Sequence, residues 1–349
     1  MLRPRRLAGA LAALLALAIV GTAAPAQAAV PDKFGFVLWT GSVVPTSTWP
    51  AATTVTVFPP NVVQVRFPGI AAPGGVVHAT AVIGGPRWCQ ALKWFPAGAD
   101  EIVYIACYGI GGAPALTPFS AIFDSSSGPP AAVSGSFGYA DVAAGGALIS
   151  QFNSAGAVNA AGVLAPGVIE VKLPGLSTPG PMDGSIQVTA VNGAPARCKI
   201  GSWKSSPAGQ DVLVLCFDGA GAPIATEFTI TFQYQRSLFG GAFPPKYFGY
   251  LWNKPLGGPP STNFNSALGP AANGVFVSGP GFYVVTFPMI AGVPDDLQVT
   301  ATGYGSDFCN LIEPWMNASG TILARVVCYT TGGARDPSAG FTISASSAI

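Results

Sequence analysis

Ile186-Gln187-Val188-Thr189-Ala190-Val191, then Cys198 and Trp203, then Asp211-Val212-Leu213-Val214-Leu215-Cys216-Phe217 is the stretch whose reading decides the fold. Its first and last runs alternate or stay apolar over strand length, without the 3.6-residue period of a helix. The midpoint between Cys198 and Cys216 is Pro207, inside Ser205-Ser206-Pro207-Ala208-Gly209. Turn residues at the midpoint predict a hairpin, because antiparallel partners lie symmetrically about their turn. The two cysteines then face each other on neighbouring strands.

Working outward, the same arrangement occurs on both sides. Ala79-Thr80-Ala81 precedes Cys89, Trp94 and Cys107-Tyr108, and Val299-Thr300-Ala301 precedes Cys309, Trp315 and Cys328-Tyr329. Upstream, Phe34-Gly35-Phe36 recurs as Phe137-Gly138-Tyr139 and Phe248-Gly249-Tyr250. Val65-Arg66-Phe67-Pro68-Gly69 recurs as Val171-Lys172-Leu173-Pro174-Gly175 and as Val285-Thr286-Phe287-Pro288-Met289. Phe119, Phe228 and Phe341 mark a closing strand in each unit. The period is that of a domain and exceeds solenoid or propeller repeats. Gly- and Pro-rich stretches at 125–135 and 240–245 read as short linkers. The expectation is an all-β chain of three tandem, small β-sandwich-like modules, at residues 32–124, 136–234 and 247–347, with six or seven strands each and one disulfide inside each.

The remaining two midpoints also fall in turn chemistry, at Gly98 and at Ala318-Ser319. The predicted bonds are therefore Cys89–Cys107, Cys198–Cys216 and Cys309–Cys328. A zinc site would need tight Cys pairs or nearby histidines, and the chain has a single histidine, His78. No metal or cofactor is expected.

Residues 1–28 read as a secretory signal, with Arg3, Arg5 and Arg6, an apolar run, and Ala26-Gln27-Ala28. Removing three of 16 basic residues leaves 13 against 15 acidic, a mature charge of about −2. The remaining basic residues form no stripe, which argues against nucleic acid, and no later run is long enough to span a bilayer. The expected location is extracellular.

The candidate chemistry is sparse. His78 aligns with Gln187 and Gln298, so one copy alone could hold a catalytic histidine. The acids Asp100-Glu101, Asp183, Asp211 and Asp295-Asp296 repeat poorly. Trp94, Trp203 and Trp315 repeat in register and are expected to pack near the disulfides. Trp39 and Trp252 follow the Phe-Gly-aromatic strand in two units only, and with Asn153 and Asn265 they make the candidate binding surface. The functional expectation is a secreted, non-enzymatic, multivalent binding or surface-structural protein. Its expected partner is a cell-wall or extracellular polymer or another surface protein. The alternative is a polymer hydrolase with paired carboxylates.

The unit Phe-Gly-aromatic, Phe-Pro-Gly, Val-Thr-Ala, Cys, Trp, Cys-aromatic resembles a repeat of exported proteins from GC-rich bacteria. The match is fullest in the second unit, at Gln187-Val188-Thr189-Ala190, Cys198, Trp203 and Cys216-Phe217. The resemblance implies architecture and export, and carries no activity.

Overall fold

The computed structural model describes residues 32–127, 135–180, 183–240, 247–254 and 260–348. The secretory signal expected at 1–28 lies outside them. Among the described residues the chain is built of strands, with one short 3-10 turn at Ile110–Gly112 and no α-helix.

Module one holds β1 (Lys33–Trp39), β2 (Val43–Trp49), β3 (Thr54–Phe58), β4 (Val62–Phe67), β5 (Val76–Ala81), β6 (Trp88–Ala97), β7 (Asp100–Tyr108) and β8 (Phe119–Ser125). Module two repeats them as β9 (Ser136–Val142), β10 (Leu148–Asn153), β11 (Ala160–Ala165), β12 (Val168–Pro174), β13 (Ser185–Val191), β14 (Ala196–Ser206), β15 (Gly209–Asp218) and β16 (Glu227–Tyr234). Module three has β17 (Phe248–Asn253), β18 (Thr262–Asn265), β19 (Gly269–Pro270), β20 (Gly274–Gly279), β21 (Phe282–Phe287), β22 (Asp295–Thr302), β23 (Phe308–Leu311), β24 (Met316–Ala318), β25 (Thr321–Tyr329) and β26 (Gly340–Ser347). The count exceeds the expected six or seven because edge strands carry a weak signal: β2 is interrupted by Pro45, and β11 is mostly Ala and Gly.

Each module is a two-layer sandwich. Module one pairs an inner sheet ordered β2-β1-β8-β5 with an outer sheet ordered β6-β7-β4-β3. Inner faces from both sheets make its core, including Val37, Val65, Phe67, Ile105 and Phe123. The disulfides are Cys89–Cys107, Cys198–Cys216 and Cys309–Cys328. Each joins directly opposed residues of the hairpin read from the sequence. Closing loops of this length is worth about 3 kcal/mol each in the chain-entropy model. The repeated glycine of Phe-Gly-aromatic has a steric cause. A Cβ there would come within 2.8 Å of Phe67 at Gly35, 2.5 Å of Leu176 at Gly138 and 2.9 Å of Phe287 at Gly249.

The modules do not hang as separate beads. The inner-sheet strand of one meets the outer sheet of another in a short parallel bridge. The three bridges are Val191 with Ala91, Thr302 with Ile200, and Val82 with Leu311. Module two thus leans on one, three on two, and one on three. This is the closed cyclic contact of a homotrimer, written into a single chain.

That closure explains an unusual pattern in the inner strands. On β16, Phe228, Ile230 and Phe232 enter the module core, while Thr229, Thr231 and Gln233 are buried on the opposite face. On β26, Phe341, Ile343 and Ala345 face the core, and Thr342, Ser344 and Ser346 are buried behind them. The polar faces of the three inner sheets meet each other, and hydrogen bonds around the axis satisfy them. Thr80 donates to Gln298 Oε1 at 2.9 Å and Thr300 donates to Gln187 Oε1 at 2.8 Å. In the third position His78 Nδ1 lies 3.3 Å from the Thr189 hydroxyl. The same hydroxyls accept backbone N–H bonds from Val299, Val188 and Ala79.

Candidate functional site

The axis itself is filled. One end is closed by Trp88, Arg197 and Phe308, the residues preceding the first cysteine of each unit. The Arg197 guanidinium lies 4.9 Å from the Trp88 ring and 5.3 Å from the Phe308 ring. Its nitrogens donate to the Ser306 and Asp218 carbonyls and to Thr331. Beside it, Lys199 and Asp307 form a buried ion pair at 2.6 Å. The cavity left on the axis is about 50 Å³, room for a few waters. His78 is buried there between Thr189 and Thr231, and loss of hydration pushes its imidazole down to about 3. A histidine held neutral between two hydroxyls is a packing residue of the axis.

The sequence-predicted surface residues lie elsewhere than expected. Trp39 is buried in the core of module one against Phe119. Asn153 and Asn265 are buried and brace loops. Asn153 donates to Asn159 and the Pro174 carbonyl, and Asn265 does the same to Asn273 and the Pro288 carbonyl. These three are therefore corrected from binding surface to scaffold. Trp252 is half-buried, stacked 5.4 Å from Trp203 of module two, with its indole N–H on Thr302. The repeated tryptophans behave as expected: Trp94, Trp203 and Trp315 each belong to or pack against the core cluster that holds their module's disulfide.

The acids named from the sequence are mostly partnered. Asp295 accepts bonds from Ser47, Trp315 and Asn317, and Asp296 from Ser120 and Gln298. Asp100 pairs with Arg66. Glu101, fully buried, accepts the Ala72 N–H, and burial pushes it up to about 7. It ties a loop to β7.

Two surface features remain. The first repeats in all three modules. The outermost strands of the outer sheets are β3, β11 and β20, each hydrogen-bonded on one side only among the described strands. Their sequences are TVTVF, AAGVLA and GVFVSG, without a charged residue. Val57, Val163 and Val277 occupy one register position, opposite Val63, Ile169 and Tyr283. They are 36, 45 and 56% exposed. Phe58, Leu164 and Phe276 are exposed beside them. Natural sheet edges are ordinarily guarded by charge or proline, and these three are not.

The second feature occurs once. Aligned on Phe-Gly-aromatic, the positions Leu38, Asp141 and Trp252 are equivalent, and each faces the neighbouring module. Leu38 joins the core cluster of module three, and Trp252 packs against that of module two. Asp141 borders an open cleft of about 450 Å³ between modules one and two. Trp94, Phe95, Ile149 and Glu227 line it with Asp141. Asp141 is 3% exposed, and its Oδ1 has no hydrogen-bond partner among the described residues. Burial first, and the Glu227 charge second, push Asp141 up to about 8. Burial also raises Glu227. The sequence reading overlooked both acids. The signal was present in the repeat: Asp141 stands where the other copies have Leu and Trp, and Glu227 where they have Pro118 and Gly340.

No protein family, curated protein or solved structure matches the chain. Three disulfides mark the oxidising conditions of an extracellular setting. No described helix is long and apolar enough to cross a membrane, and no described group of His, Cys, Asp and Glu has the makings of a metal site.

Proposed function

We propose that the protein is a secreted, non-catalytic, multivalent attachment protein that holds a repeating, uncharged polymer of the cell surface. One observation carries this reading: the same uncharged, exposed apolar edge strand occurs three times, at one register position, on modules locked into a single body. Three equal contacts held at fixed separations gain most from a partner that presents its own feature repeatedly, because the second and third contacts form at high effective concentration. Catalysis gains nothing from such repetition. A charged fraction of 9% leaves little to repel an uncharged surface.

The interlocked sheets dictate the test. Truncation to one or two modules would expose the polar inner faces, so the intact mature chain is used with Val57→Lys, Val163→Lys and Val277→Lys, singly and together. Retention on cell-wall and polysaccharide fractions is measured. Each single change should weaken retention several-fold, and the triple variant should lose about 100-fold or more, the scale of a lost multivalent advantage. Undiminished retention of the triple variant would overturn the reading. So would concentration-dependent self-association of the wild type with no retention, which would make copies of the chain its partner.

A further inference from the structure

No residue of the three edge strands lines the cleft between modules one and two. The repeat supplies an apolar residue to fill this position at both other junctions, Leu38 and Trp252. Here the filler is replaced by a buried carboxylate and the space is left open. An unpaired carboxylate at 3% exposure is costly and is ordinarily matched by a cation or neutralised. Asp141 and Glu227 form no ion pair among the described residues. Lys93, the one cationic residue lining the cleft, holds its Nζ 5.0 Å from the Tyr104 ring and 5.5 Å from the Phe95 ring. The acids therefore lack a cation, and the walls around them are aromatic and aliphatic.

We propose that this cleft binds an organic ammonium ligand, a primary amine carried on an apolar body. Its nitrogen sits at Asp141 and Glu227 and its body lies against Trp94, Phe95 and Ile149. A charged amine suits both halves of the site: it pairs with the carboxylates and is attracted to aromatic faces. A neutral sugar fits less well. The Trp94 indole N–H, the natural donor to a hydroxyl, is already given to the Gly74 carbonyl at 2.9 Å, and a neutral ligand makes no use of the charge that Asp141 and Glu227 can supply. The charged groups lining the cleft are Asp141, Glu227 and Lys93. Because burial keeps Asp141 protonated near neutral pH, amine binding there displaces its proton.

The probes are benzylamine and its neutral counterpart benzyl alcohol, titrated calorimetrically into the intact mature protein at pH 7 in two buffers of different ionisation enthalpy. Benzylamine should bind at least 10-fold more tightly than benzyl alcohol and release a proton on binding. Asp141→Asn, nearly isosteric, should cut benzylamine affinity 10-fold or more and abolish the release. Glu227→Gln, at a half-buried position that tolerates change, should weaken it several-fold and leave the release in place. Equal affinity for the two probes, or unchanged amine binding in Asp141→Asn with its thermal transition preserved, would overturn the proposal. Hydrolysis of aryl glycosides, lost in both variants, would also overturn it and assign the pair to catalysis. The edge-strand variants should bind benzylamine as the wild type does, which separates failure here from failure of the attachment reading.

Discussion

Two junctions of this ring are built on one plan and finished in opposite ways. Between modules two and three, Trp252 stacks on Trp203 and donates its indole N–H to Thr302. Between modules one and two, the equivalent residue is Asp141, and the equivalent tryptophan, Trp94, borders open space. The backbone bridges are the same in kind. The difference shows which part of the interface holds the ring and which part is free to vary. The parallel bridges and the threonine ring around the axis recur at every junction, so they carry closure. The side chain two residues beyond the Phe-Gly-aromatic motif does not recur, and it carries whatever is particular to a junction.

Exchanging the two finishes tests that division most severely. Trp252→Asp should remove the ring stack and the aromatic packing behind it, and put a carboxylate beside Lys254, whose Nζ lies 5.5 Å from the Trp252 ring. The expected loss is about 3–5 kcal/mol, the range for large-to-small changes at packed aromatic positions. Urea unfolding of the intact chain measures it. A loss under about 1 kcal/mol would show that Trp252 contributes little to closure and that the two junctions are held by their backbone bridges alone.

The reverse change should stabilise. Asp141→Leu installs the residue of module one's own equivalent position. In the folded protein Asp141 keeps its proton up to about pH 8, whereas in the unfolded chain it releases it near the ordinary carboxyl value of 3.8. Between those values the folded state binds more protons, so the wild type loses stability as pH rises, by about 1.4 kcal/mol per unit at most, and levels off above pH 8. The leucine variant lacks this slope. Its advantage should be absent near pH 4 and reach a few kcal/mol at pH 8.5, read as the difference between the two unfolding curves. A pH-independent difference would show that Asp141 is ionised in the folded state throughout.

The sequence made the local pairings legible and hid the long-range ones. Cysteines centred on Gly98, Pro207 and Ala318-Ser319 led straight to the disulfides, because a hairpin's partners are symmetric about its turn. The alternation Phe228-Thr229-Ile230-Thr231-Phe232 was equally clear as a strand, yet it could not show that the threonine face meets protein. A polar residue facing water and one facing a hydrogen-bonding neighbour leave the same period-two trace. Closure of the modules into a ring was hidden for that reason. The cleft was missed through a slip of register. Trp39 and Trp252 looked like counterparts in two units, but they lie one residue apart in the repeat, and one residue on a strand is the difference between core and interface. Aligning Leu38, Asp141 and Trp252 exposes the odd position at once.

The junction between modules one and two departs from the plan in a second place, on the axis, and there the expected effect is the smallest at neutral pH. The ring position held by Gln187 and Gln298 is His78. Its Nδ1 lies 3.3 Å from the Thr189 hydroxyl and its Nε2 lies 2.8 Å from that of Thr231. Gln187 meets Thr300 and Ser344 in the same manner, so a glutamine at position 78 finds both partners waiting. His78→Gln should then change stability by about 0.5–1 kcal/mol or less at pH 7.5, as one neutral hydrogen-bonded side chain replaces another. Acid separates the two. The folded imidazole is depressed to about 3 against 6.5 unfolded, so between those values the unfolded chain takes up the proton and the wild type loses stability as pH falls. The glutamine variant has no such loss, and by pH 5 it should be the more stable by up to about 2 kcal/mol, at 1.4 kcal/mol per unit below 6.5. Asp141 weakens this junction as pH rises and His78 weakens it as pH falls, whereas the junction of modules two and three carries neither at the equivalent positions. Parallel unfolding curves for wild type and His78→Gln between pH 5 and 7.5 would show that the histidine is charged or solvated in the folded axis, and would remove acid sensitivity from the list of differences between the two junctions.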